Sequence, residues 1–244
     1  MPKIPHQPED IFEEFVQDCR EAFGADLVGV ILYGSGARGE YVPRKSDINF
    51  MIVLTQSGIN TLGRALPLVS RWHKRRVSTP LFLTEQYIAS SLDTFPIEFL
   101  NIQAAYRVVY GQDLLKGLVM DRTFLRLQCE RELKGKLLQL RENFLETEGK
   151  KHLIADLVTQ SLPTFFSIFQ AVLALRGKPP VSGKDVLVSN MSQETGLDRQ
   201  TFLDLAAVRA GTKKLTSREA VPLMQNYIEE IRKLSMLVDT MDAD

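Results

Sequence analysis

The chain has 244 residues, with 30 basic and 30 acidic side chains and a formal net charge of zero. With 44% apolar and 25% charged residues it has the make-up of a globular protein, long enough to bury an ordinary core in one large domain or two modest ones. Charge balance excludes a global field that would steer it to nucleic acid or an anionic membrane; only a local patch could do that.

In chain order, the first ten residues are polar and proline-rich, with no signal-peptide core. Asp10 is placed as the N-cap of a helix running to Phe23, with Ile11, Phe12, Phe15, Val16 and Cys19 on one face and Gly24 at its end. Leu27 to Tyr33 is a continuous apolar, β-branched run closed by glycine, which suits a buried strand. Ile48 to Leu54 is a second such run. Gly58 to Val77 has helical spacing, with Pro67 bending or interrupting it. Pro80 to Leu83 reads as a short strand and Thr84 to Leu92 as a short helix. Phe95 to Ile102 reads as a third principal strand, with Ile97 and Phe99 on one side and Glu98, Leu100 and Ile102 on the other.

From Asp121 the period becomes helical. Phe124, Leu125, Cys129, Leu133, Leu137, Leu140 and Phe144 mark a long amphipathic helix. His152 to Leu175 is a second, strongly apolar one that contains Pro163, where a kink is expected. Its Phe165, Phe166 and Phe169 read as core, or as a homodimer face if one side stays exposed. Gly177 to Pro180 is a linker, and helices follow around Thr201 to Ala210 and Arg218 to Met241. No apolar run approaches the ~20 residues that span a bilayer. Cys19 and Cys129 lie in helical patterns without metal-ligand spacing, so they read as buried free thiols of a reducing, cytoplasmic compartment. None of the three histidines has a partner at ligand spacing. Arg71-Trp-His-Lys-Arg-Arg76 is the densest basic cluster, either a grip for a polyanion or a substrate phosphate, or the solvated end of a helix whose Trp72 packs inward.

The most informative segment is Val28-Gly-Val-Ile-Leu-Tyr33 running into Gly34-Ser-Gly-Ala-Arg-Gly-Glu40, followed after a short loop by Asp47-Ile-Asn-Phe-Met-Ile-Val-Leu54. A strand that ends in Gly-Ser and turns at once into a helical turn points several backbone N–H groups the same way, which makes an anion site. Gly34 and Gly36 allow close approach of a phosphate, Ser35 adds a hydroxyl and Arg38 a charge. Asp47 at the edge of the next strand is a candidate Mg²⁺ ligand, since that ion takes one or two carboxylates plus phosphate oxygens. Glu98 is the candidate acid to orient or deprotonate an attacking hydroxyl.

These residues resemble the nucleotidyltransferase superfamily with the polymerase-β-like palm, in particular the minimal bacterial members and the aminoglycoside adenylyltransferases. The pattern there is Gly-Ser, about a dozen residues, then Asp-x-Asp/Glu, with a third acid on a later strand; the likeness covers about Leu27 to Gln112. It implies an α/β (α+β) domain with a mixed sheet over residues 1–115 and an all-α helical bundle over 116–244 that builds one wall of a substrate cleft. It further implies transfer of a nucleoside monophosphate from ATP or another NTP to a hydroxyl on a small molecule or protein. In that scheme Gly34 and Ser35 hold the triphosphate, Asp47 and Asn49 the Mg²⁺, and Asp47 and Glu98 are catalytic. The helical part lacks the Arg-x4–6-His element of RNase-type bundles. Asn49, however, stands where the pattern has a second carboxylate. An amide offers a metal one oxygen but no charge, and losing ~4 kcal/mol of metal stabilisation slows a reaction about a thousandfold. Asn49 therefore leaves open one tightly held metal, ligands supplied by substrate, or a degenerate module that binds nucleotide or a protein partner without chemistry.

Overall fold

The computed structural model describes residues 4–241, which divide into two compact units. The first holds the residues up to Leu92 together with Phe99–Val119; the second holds Asp93–Glu98 and everything from Met120 onward.

In the first unit a turn at Pro8–Ile11 leads into α1 (Phe12–Phe23), then β1 (Leu27–Tyr33) and β2 (Asn49–Leu54). Asp10 does not cap α1 from the N-cap position. Its carboxylate accepts from the N–H groups of His6 and Gln7, closing the preceding turn instead. Then come α2 (Gln56–Asn60), α3 (Ala65–His73), β3 (Leu81–Leu83) and α4 (Glu85–Ser90). The expected single helix over Gly58 to Val77 is thus two, separated at residues 61–64. Pro67 lies in the first turn of α3, where an N–H has no intrahelical acceptor, so it does not break the helix.

The stretch Phe95 to Ile102 is a correction. It forms α5 (Pro96–Gln103), and the fourth strand is β4 (Tyr106–Gly111). Proline is favoured in the first helical turn, and the buried Phe99 and Ile102 stand three apart as a helix requires. Tyr106-Arg-Val-Val-Tyr110 carries the β-branched and aromatic residues that suit a strand.

The sheet runs β3-β2-β1-β4, with β1 antiparallel to β2 and β4 and β2 parallel to β3, so it is mixed. Residues of both parities in β1 and β2 are buried, which is why both read as unbroken apolar runs. On one face Phe15 of α1 stacks on Phe50 of β2 at 4.2 Å and meets Trp72 of α3 edge-on at 5.2 Å. Two offset or T-shaped aromatic pairs of this kind add about 0.5–1.5 kcal/mol each beyond their burial.

The second unit is helical: α6 (Arg122–Glu146), α7 (Lys151–Leu175), α8 (Lys184–Thr195), α9 (Arg199–Ala210) and α10 (Ser217–Asp239). α8 has no counterpart in the sequence expectations. Asp121 caps α6 and Asp198 caps α9, while Thr216 and Glu219 form a reciprocal box on α10. α7 packs against α6, α8, α9 and α10 and buries Phe165, Phe166 and Phe169 among them. Contrary to the sequence expectation, α7 is long and apolar enough by length and composition to cross a membrane. Its place at the centre of the bundle accounts for that composition. Both cysteines are free and fully buried.

Candidate functional site

β1 delivers the chain to Gly34, whose φ of +76° is the left-handed backbone that glycine adopts without penalty. The turn is closed by the N–H groups of Ala37 and Arg38 on the Gly34 carbonyl, both at 3.1 Å, and of Glu40 on the Ser35 carbonyl at 2.9 Å. Those bonds leave out the N–H groups of Ser35 and Gly36. No helix follows, so the donors come from a compact turn over residues 34–39. Arg38 does not fold over it in this state; its guanidinium pairs with Glu40 at 3.3 Å.

Antiparallel pairing of Tyr33 with Asn49 sets the start of β2 beside this turn. A methyl group on Gly34 would lie 3.1 Å from Asn49 Nδ2, so the amide nitrogen faces the turn. The amide oxygen faces the other way and accepts from the Ser78 hydroxyl at 2.5 Å. Ser78 is placed by the bridge between Ile48 and Val77 and by its own N–H on the Ile48 carbonyl at 3.0 Å.

Asp47 lies one residue before that bridge, half exposed, with its Oδ1 3.0 Å from Arg76 Nε. Arg76 has a φ of +67°, rare for a side chain other than glycine, asparagine or aspartate. Its carbonyl accepts from the Ile48 N–H at 2.8 Å, and its Nη2 donates to the Lys45 carbonyl at 3.0 Å. The Nε itself is buried and makes no aligned hydrogen bond. Tyr41 lies in the same neighbourhood. Burial raises its phenol above the ordinary value, with Arg76 acting against the shift and Asp47 with it.

The other two arginines of the basic run are paired with carboxylates. Arg71 and Arg75 pair with Glu14, Arg71 also with Asp18, and the buried Trp72 donates its ring N–H to Asp18 at 2.7 Å. The hydrogen bond from Arg75, ahead of its charge, holds the Glu14 carboxyl below its usual range. This cluster is a structural seam between α1 and α3.

Glu98 does not stand on a strand beside β2. It lies on α5 and accepts from Gln128 Nε2 at 2.8 Å, while Gln128 Oε1 takes the Ile97 N–H at 2.8 Å. The strands that do lie beside β2 are β1, which ends in the Gly34 turn, and β3, which is paired through Met51 with Leu81 and reads Leu-Phe-Leu. A two-metal centre therefore finds a poor donor set at this end of the sheet. Asp47 is already paired with a guanidinium, the Asn49 oxygen is engaged, and β3 brings no carboxylate. Among the described residues no group of three or more His, Cys, Asp or Glu side chains is placed to hold a metal ion.

The sequence named Arg76 only as one member of a basic run that could grip an anion, without singling it out, and it did not flag Ser78, which only the pairing of residue 77 with residue 48 reveals.

No family model matches the chain. A protein of Methanocaldococcus jannaschii described as "putative protein adenylyltransferase" is 26% identical over 153 residues, 61% of this chain and 95% of that protein. Among solved structures, spectinomycin adenyltransferase of Enterococcus faecialis, crystallised with ATP and spectinomycin, superposes with a TM-score of 0.51 at 15% identity, covering 90% of this chain and 99% of the other. The chain is nucleotidyltransferase-like, with a mixed-sheet α/β part and a helical part.

Proposed function

We propose that this protein binds the phosphate chain of ATP or another nucleoside triphosphate at the Gly34–Ser35 turn, on a nucleotidyltransferase scaffold whose carboxylate set is incomplete. The observation that carries the reading is the juxtaposition of that turn with the amide nitrogen of Asn49, in a register fixed by the β1–β2 pairing. Backbone N–H groups, the Ser35 hydroxyl and an amide donor suit an anion. Arg38 joins them by leaving Glu40. The same features argue against rapid transfer: Asp47 is paired with Arg76, and nothing on β3 replaces the missing second acid.

A second reading is favoured by the likeness to the adenylyltransferases. In it the chain transfers a nucleoside monophosphate to a hydroxyl of a protein or small molecule. Mg²⁺ would depend on Asp47 with the oxygen of Asn49, and Glu98 would have to leave Gln128 to accept the hydroxyl proton.

Incubation with α-labelled NTPs, Mg²⁺ or Mn²⁺ and a cell extract separates the two. Retention of label by the wild type without transfer, and transfer gained by Asn49→Asp, support a binding module with a lapsed centre. Transfer by the wild type that disappears in Asp47→Ala supports the second reading instead. No retention by any variant defeats both.

A further inference from the structure

We propose that Arg76 takes the place of the divalent cation in this site, so that a nucleoside triphosphate binds without metal. The inference rests on the phosphate-binding reading of the Gly34–Ser35 turn and adds what neutralises the phosphate charge there.

The backbone comes first. A non-glycine residue in the left-handed region is costly and persists only where its surroundings impose it. Here the Arg76 carbonyl is tied to the Ile48 N–H and Nη2 to the Lys45 carbonyl, so both ends of the residue are anchored at the entry to β2. The result is a guanidinium against Asp47, the one carboxylate that the resemblance assigns to a metal. A guanidinium carries five N–H donors in a fixed fork, and it matches phosphate oxygens well. In this protein Nη2 has an accepting carbonyl, while Nε is close to Asp47 but not aligned on it. The guanidinium's terminal N–H groups, and not the buried Nε, are the donors offered to an incoming anion.

Charge points the same way. The single positive charge of Arg76 balances Asp47, so a divalent ion brought to that carboxylate would meet a fixed like charge. Asn49 is consistent with this. Its oxygen is taken by Ser78, and what it turns towards Gly34 is a donor, suited to phosphate and unsuited to a cation. The substitution of amide for acid and the presence of Arg76 are two halves of one arrangement: the site has exchanged cation ligands for anion donors.

The test is calorimetric titration of the full chain with ATP, once in EDTA and once in excess Mg²⁺. The expected result is similar affinity in both, within about threefold. Arg76→Gly suits the backbone conformation, so it removes the guanidinium without adding strain, and a thermal melt confirms its fold. It should lose about tenfold or more in affinity in EDTA, the worth of one charge-assisted phosphate contact. Arg76→Gly combined with Asn49→Asp should bind only when Mg²⁺ is present. Wild-type binding that EDTA abolishes and Mg²⁺ restores overturns the inference while leaving the phosphate site standing, as does undiminished affinity in folded Arg76→Gly. Absence of binding under both conditions overturns the inference together with the reading beneath it.

Discussion

Replacing Gly34 by alanine probes the point where the turn and β2 meet. At φ +76° an L-residue costs roughly 1–2 kcal/mol relative to glycine. The new methyl would also lie 3.1 Å from Asn49 Nδ2, so that amide has to give by a few tenths of an ångström. It is held from behind by Ser78, and weakening such a hydrogen bond costs about 0.5–1.5 kcal/mol. The total loss should be roughly 2–3 kcal/mol. Trp72 is the sole tryptophan and packs on Phe15 within the same unit, so its fluorescence during urea unfolding reports this unit directly. Asn49→Ala removes the group that the methyl strikes. The double variant should therefore be more stable than the two single losses imply, by about 0.5–1 kcal/mol, with the backbone part of the cost remaining. Strict additivity, or a Gly34→Ala cost under about 0.5 kcal/mol, would refute the packing described here.

Other consequences can be checked with the same preparations. Gln128→Ala removes the side chain that bridges the Ile97 N–H and the Glu98 carboxylate, so thermal unfolding should show a loss of about 1 kcal/mol; a neutral result contradicts that clamp. Acid stability follows from lowered carboxyls, Glu14, Asp198 and Glu219 among them. Glu14 is held down by Arg75, Asp198 by the Thr201 hydroxyl and Glu219 by the Thr216 hydroxyl. Each contributes stability above its ordinary value (4.5, 3.8 and 4.5 respectively) and loses it as pH falls through the lower folded value. The melting temperature should therefore hold from pH 7 to about 5 and drop below about 4, and a rise on acidification contradicts the pairing. Burial pushes the thiols of Cys19 and Cys129 up to about 12, so a thiol reagent at neutral pH should label neither until urea is added. Rapid labelling of the native chain would show that one of the helices carrying them opens locally.

Much of this molecule follows from local pattern. The continuous apolar runs of β1 and β2, the helical periods of α6 and α7 and the Gly-Ser turn with its following Asp47 are all set by neighbours along the chain. Phe95 to Ile102 misleads because Ile97 and Phe99 fit an alternation of two while Phe99 and Ile102 fit a spacing of three, and eight residues do not separate the periods. α8 escapes notice because its apolar residues make no strong stripe.

What no local pattern contains is the pairing of distant residues. The bridge from Ile48 to Val77 places Ser78 on the oxygen of Asn49 and Arg76 against Asp47, and the parallel pairing of β3 decides that the strand flanking β2 opposite β1 brings leucine and phenylalanine instead of an acid. Residue types can announce a phosphate turn and a lone aspartate, because those depend on adjacent backbone geometry. Whether that aspartate meets a metal or a guanidinium depends on which segment, some thirty residues away, closes against it, and that is fixed only when the sheet forms.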